Sequence, residues 1–258
     1  MKAGQPLSKM DTAPMDNAET NIAHPPVVTH DEWLAERLKL LAEEKAVTKA
    51  YDRVNALRRR LPMVKVEKEY RFIGADGDKS LVDLFEGRRQ LIVHHFMFDP
   101  AWDKGCPSCT WHANCFGNLS SLAKADTSIV RVSRAPIEKL LAYQREKGWS
   151  MPWYSSGGTD FNYDYMVTLD PSRGPLQYNY KTGEELTKAI GKTEASSEWP
   201  GFSVFFRVGH EVFHTYSAYA RGVENLMDPF SLLDITPYGR QEDFEDSPEG
   251  WPQSPTYG

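Results

Sequence analysis

Only three cysteines occur in the 258 residues. That is too few for the disulfide framework of a small secreted scaffold, which carries more and usually an even number. No apolar run is long enough to cross a bilayer: the longest, Leu91 to Phe98, falls far short of the ~20 residues a span requires and contains two histidines. There is no excess of positive charge either. With a formal net charge of -6, neither nucleic acid nor an anionic membrane surface is indicated as a partner. The first 26 residues are polar, carry Pro6, Pro14, Pro25 and Pro26, and lack the apolar stretch of a secretory signal. These absences point to a cytoplasmic location. In that compartment a close cysteine pair signals redox chemistry or metal binding more often than a structural disulfide.

What remains is ordinary for a globular protein, with 40% hydrophobic and 26% charged residues. The length suits one large domain, or one domain with an extra segment. No internal repeat is evident. Residues 1–26 read as a disordered tail. Thr29-x-x-Glu32 has the form of a capping box. After it, Leu34, Leu38, Leu41, Val47, Tyr51, Val54, Leu57 and Leu61 lie at helical spacing. The pattern runs to about Arg60 and stops before Pro62, so 27–61 is expected as a helical extension. About 30 helical residues would measure about 45 Å, enough to embrace the core or to pair with a second copy as a homodimer element.

From Val64 the texture changes to alternating strands and turns, and an α/β domain is expected over 62–240. Val64, Val66, Tyr70 and Phe72 suggest strands. Gln90 to Phe98 reads as a strand buried on both faces, as in a parallel sheet. A helix is expected from Pro107 to Leu122, an apolar strand from Ser128 to Ser133 and a helix from Pro136 to Lys147. That βαβα succession argues for a partly parallel sheet. Later come an aromatic loop (Trp149–Tyr165), a polar insertion (172–200), and a hairpin of Phe202–Phe206 and Glu211–Tyr216 around Val208-Gly209-His210. The end, 241–258, is acidic, rich in proline and glycine, and expected to be flexible.

The chemistry-bearing motif is Cys106-Pro107-Ser108-Cys109, placed after a buried strand and opening the next helix. Proline is favoured at the first helical position, where its missing N–H costs nothing. The residue before it is driven toward extended dihedrals, which suits an N-cap. Cys106 is therefore expected to put its sulfur beside unpaired backbone N–H groups that favour the thiolate. Cys109, one turn on, can close a disulfide with it. The chemistry is attack of Cys106 on a disulfide, then release by Cys109; it calls for no cofactor, and its partner is a protein or small-molecule thiol or disulfide. Lys104 could add positive charge beside the thiolate, Trp102 lies four residues before Cys106, and Arg134 follows a strand expected to neighbour Leu91–Phe98. Carboxyl ends of such strands line the site. Two alternatives stay open. One is a metal-binding or metal-delivery site using Cys106, Cys109 and a strand histidine, His95 or His94, which must point to opposite faces. The other is a non-catalytic interaction module. Cys115 cannot converge with Cys106 on one continuous helix and reads as a small buried hydrophobe.

Arg59-Arg60-Leu61-Pro62, Val64 to Lys68, Gly87 to Phe98, Trp102 to Cys109 and Ser133 to Pro136 resemble an uncharacterised thioredoxin-like family, whose members are described as predicted dithiol–disulfide oxidoreductases with a domain of unknown function. Pro152 to Ser156, Asp160 to Asp164 and His214 to Gly222 extend the likeness, which covers about Val28 to Arg240. The resemblance implies a thioredoxin-like, peroxiredoxin-related three-layer sandwich with a mixed central sheet and a long N-terminal helix. It implies thiol–disulfide exchange as the activity. The peroxiredoxin pattern Pro-x-x-x-Thr-x-x-Cys is not met, because Lys104 and Pro107 stand at the matching steps after Pro100. The thioredoxin cis-proline position falls on Gly201, beside Pro200.

Overall fold

Leu91 to His95, the apolar run before the cysteine pair, lies at the centre of a large sheet in the computed structural model, which describes residues 22–190 and 197–255. Most of the expected tail, residues 1–21, lies outside the described residues, as does part of the polar insertion, 191–196. Leu41–Ser231 make one compact unit, and the described parts of 1–40 and 232–258 make another.

The first helix, α1 (His30–Arg58), begins at a reciprocal cap. The Thr29 N–H and hydroxyl donate to the Glu32 carboxylate at 2.9 and 2.7 Å, and the Glu32 N–H returns to Thr29 Oγ1 at 3.4 Å. No residue of α1 is buried. Short strands β1 (Val64–Lys65), β2 (Arg71–Gly74) and β3 (Gly77–Ser80) follow, the last two joined by a tight turn with Gly77 at positive φ. Then come β4 (Gln90–His95), α2 (Pro107–Asn114), α3 (Ser120–Lys124), β5 (Thr127–Ser133), α4 (Ile137–Lys147), β6 (Trp153–Ser155) and α5 (Phe161–Asp164). β7 (Thr168–Leu169) precedes the insertion, which supplies β8 (Gln177–Tyr178), β9 (Lys181–Thr182), α6 (Gly183–Ile190) and β10 (Ser197–Glu198). The hairpin β11 (Gly201–Val208) and β12 (Glu211–Tyr219) turns on Gly209 and His210, with Gly209 at φ 60°. Helix α7 (Asp228–Leu233) follows.

Eight strands pair in the order β1-β12-β11-β4-β5-β6-β2-β3. β4, β5 and β6 are parallel, and the neighbours outside them are antiparallel. At the centre, β4 lies between its parallel crossover partner β5 and the antiparallel hairpin β11–β12. This β-α-β unit flanked by a hairpin is the thioredoxin arrangement, so the expected α/β mixed sheet is the fold. Both crossovers proceed across the sheet in the same direction, which puts their helices on the same face when the connections share the usual right hand. Accordingly Cys109 and Ala113 of α2, and Ile137, Leu140 and Tyr143 of α4, pack with Phe96, Phe98 and Trp153. Leu91, Val93, Val130 and Val132 face the other way, against Leu84, Phe85 and Phe161. The result is three layers, with each strand's alternate residues feeding opposite cores.

One element departs from expectation. The helix expected over Pro107–Leu122 is two helices, broken across Cys115–Leu119. Gly117 weakens the helix there, and the Asn118 side chain accepts from the Ser120 N–H at 2.9 Å, a local bond that competes with the helical ladder. Beyond 240, the chain turns back on itself: Asp243 N–H donates to the Ser254 carbonyl at 3.0 Å, and Glu242 bridges Ser254.

Candidate active site

The loop from Phe96 to Cys106 is fixed at both ends. Lys139 of α4 donates to the carbonyls of Pro100 and Trp102 at 2.9 and 2.7 Å. Gly105 passes so close to the core that a Cβ there would sit 2.6 Å from the Phe96 ring and 3.1 Å from Tyr143. The Cys106 N–H then donates to the Met97 carbonyl at 3.1 Å. Cys106 is the N-cap of α2, extended at φ -52°, ψ 131°, with Pro107 at the first helical position. Its carbonyl accepts from the Thr110 N–H at 2.9 Å and the Thr110 hydroxyl at 2.8 Å, and that hydroxyl is 3.0 Å from the Tyr143 hydroxyl. The backbone at Cys106 is thus held by three hydrogen bonds.

Both cysteines of the pair are free thiols, Cys106 half-buried and Cys109 buried. Their acidities diverge. The Cys109 thiol donates to the Cys106 sulfur, and the N–H groups of Cys109 and Ser108 add to it, outweighing burial; the Cys106 pKa falls to about 6. The donated bond and burial together push Cys109 well above the usual thiol range, while Met97 and the charge of Arg131 pull it back. One sulfur is ionised near neutrality and the other keeps its proton, the division of labour that a nucleophile and a resolving thiol need.

Of the other residues expected at the site, Lys104 and Trp102 are exposed on the loop, and neither contributes to the Cys106 shift. Arg134 is drawn elsewhere. Its Nη1 donates to Glu198 Oε1 at 2.6 Å and lies 3.6 Å from Asp99 Oδ2. Glu198 is buried, burial raises its pKa against the pull of Arg134, and Thr168 donates to both its oxygens at 3.0 Å. Arg134 is therefore the partner of a buried carboxylate rather than of the thiolate.

The two strand histidines of the metal alternative part company. His95 faces the Phe161 and Tyr165 side of β4, away from Cys109. Its Nε2 lies 2.8 Å from Ser203 Oγ, which is 2.8 Å from Ser217 Oγ, which is 2.8 Å from His214 Nε2. Among the described residues no three His, Cys, Asp or Glu are grouped to hold a metal ion. His94 is the histidine on the α2 face, stacked on Phe202 with ring centroids 4.6 Å apart and 5.2 Å from the His112 ring. Burial, then the charge of Arg131, holds both imidazoles neutral, His112 down to about 4. Cys115 is half-buried rather than a core residue: it caps the C-terminus of α2, and its thiol donates to the Trp111 carbonyl at 3.2 Å.

The residue that sequence reasoning missed is Arg131. It occupies the middle of β5 in the run Thr-Ser-Ile-Val-Arg-Val-Ser, read above as an apolar strand. It is only 1% exposed. Its guanidinium lies 4.4 Å from the Trp149 ring centroid, 5.0 Å from Trp153 and 5.6 Å from Phe96. Nε and Nη1 have no hydrogen-bond partner among the described residues. Burial lowers its pKa to about 10, opposed by Cys109, so it stays charged. A charged side chain inside an apolar strand pattern was the one available signal.

The sequence matches the family described as "Bacterial protein of unknown function (DUF899)" over residues 22–257. No curated protein matches it. Among solved structures, peroxiredoxin Q of Xanthomonas campestris is similar over 60% of this chain and 83% of its own, with 14% identity and a TM-score of 0.41. Peroxidoxin BcpB of Mycobacterium tuberculosis is similar over 60% of this chain and 84% of its own, with 14% identity and a TM-score of 0.38.

Proposed function

The chain belongs to the DUF899 family of bacterial proteins of unknown function, and from that starting point we propose that it carries out thiol–disulfide exchange through Cys106 and Cys109. The observation that carries this reading is the opposite displacement of two thiols one helical turn apart, Cys106 down to about 6 and Cys109 well up.

The Cys106 thiolate attacks one sulfur of a substrate disulfide. A Cys106–substrate disulfide forms, the substrate S–S bond breaks, and the first substrate thiolate leaves. With Cys106 now uncharged, Cys109 no longer has a thiolate to donate to, and the like-charge repulsion that opposed its ionisation is gone. The nearby charge of Arg131 favours its thiolate. Cys109 loses its proton to solvent or to the departing thiolate, attacks the Cys106 sulfur, closes the Cys106–Cys109 bond and releases the second thiolate. Two electrons pass from the pair to the substrate, and an external dithiol restores the reduced enzyme. Run backward, the same steps oxidise a substrate dithiol.

The test is trapping. Cys109→Ser is expected to accumulate a mixed disulfide on Cys106 when given oxidised glutathione as a model disulfide, whereas the wild-type protein passes on to an internal disulfide. Equal accumulation in both, or capture on Cys115, contradicts the assignment.

A further inference from the structure

A buried guanidinium needs a counter-charge or a full set of acceptors, because removing it from water costs several kcal/mol otherwise. Arg131 has neither among the described residues. Aromatic rings fix its plane, which leaves the N–H edges to be satisfied by something else. Among the described residues no carboxylate pairs with it, and Nε and Nη1 donate to no acceptor.

The break between α2 and α3 leaves a hollow of about 500 Å³ that Arg131 lines. Its walls include Phe116, Leu119, Ile129, Trp149 and Met151, and no acidic side chain lines it. Trp149 is held in place by its Nε1–H, which donates to Asn114 Oδ1 at 2.8 Å. That volume suits a small organic molecule, and the lining combines apolar walls with a few polar groups and one charge.

We propose that this hollow is a binding site for a small organic monocarboxylate, whose carboxylate supplies the counter-charge of Arg131 and whose apolar body lies against Phe116, Leu119, Ile129 and Met151. A single guanidinium balances one negative charge. The apolar walls select against a bare hydrated anion. The same side chain adjoins the apolar cluster that holds Cys109: its guanidinium lies 5.6 Å from the Phe96 ring of that cluster. Arg131 favours the Cys109 thiolate, so an occupied hollow withdraws that help and slows closure of the pair; this second consequence rests on the function proposed above.

Acetate, benzoate and indole-3-acetate are suitable probes, titrated into the full chain with tryptophan fluorescence and calorimetry as readouts. The expected result is saturable binding of at least one aromatic carboxylate, stronger than acetate, with benzyl alcohol bound at least tenfold more weakly than benzoate. Arg131→Met is expected to lose binding by tenfold or more. Leu119→Glu, which places a carboxylate on the wall without altering the packing of Arg131, is expected to do the same, and it decides the matter if the Arg131 variant does not fold. Absence of saturable binding by all three acids, or binding undiminished in the folded variants, overturns the site. Binding is read without turnover, so it stands apart from the redox reading. If the saturating ligand leaves thiol release from the Cys106 mixed disulfide unchanged, the link to the pair is overturned.

Discussion

Alkylation of the reduced protein by iodoacetamide, followed peptide by peptide against pH, is expected to show Cys106 ionising with a midpoint near 6. The useful pH for the comparison can be worked out. At about pH 5.5, roughly a quarter of such a thiol is ionised, against ~0.1% of an ordinary one with pKa ~8.5, a ratio of ~240. A less basic thiolate is also a weaker nucleophile, by ~13-fold over ~2.5 units with a Brønsted slope of about 0.45. The net rate advantage is therefore ~20-fold at about pH 5.5 but only ~2-fold at about pH 7, where ordinary thiols have begun to ionise. Acid is where the experiment discriminates. The leading stabiliser of the thiolate is the Cys109 thiol, so Cys109→Ala is expected to raise the midpoint by about 1–2 units. The backbone N–H groups of residues 108 and 109 survive that substitution and keep the midpoint below that of an ordinary thiol. A wild-type midpoint near 8.5, or one unmoved by Cys109→Ala, would refute the reasoning.

Arg134→Met leaves Glu198 buried without its cation and is expected to cost about 3 kcal/mol in chemical denaturation, while the Cys106 alkylation profile stays put; a shifted profile would restore Arg134 to the thiolate. Gly105→Ala drives a Cβ to 2.6 Å from the Phe96 ring and is expected to destabilise the protein by about 1–3 kcal/mol, seen as a lower denaturation midpoint. The Cys106 pKa is lower in the folded state than in the unfolded chain, so its contribution to stability is complete above the unfolded value and is lost as pH falls through about 6. The Tm of the reduced protein minus that of Cys106→Ser is therefore expected to shrink between about pH 8 and pH 6; a constant difference counts against the shift.

Much of the fold was legible because its signals are local. Thr29 and Glu32 cap α1 through residues three apart, Pro107 marks the start of α2, and Gly209 supplies the positive φ of the hairpin turn. The opposite orientation of His94 and His95 follows from the pleat alone. Which of them faces the cysteines does not, because that depends on where the crossover helices lie. The misread features are non-local. Arg134 is captured by Glu198, 64 residues away. Arg131 is buried by Trp149 and Trp153, which arrive only after α4 has crossed the sheet. The split between α2 and α3 has a local signal in Gly117-Asn118, inside the stretch expected as one helix from Pro107 to Leu122.

The central claim is that Cys106 and Cys109 form one reversible two-electron couple. Equilibrating the protein across dithiothreitol redox buffers, quenching with acid and counting alkylated thiols by peptide mass tests it most directly. The account predicts a single transition in which Cys106 and Cys109 lose reactivity together, fitted by the two-electron relation of ~30 mV per tenfold change, with Cys115 free throughout. Cysteines that remain separately alkylatable under oxidising buffer, or an oxidised product that pairs Cys115, would contradict it.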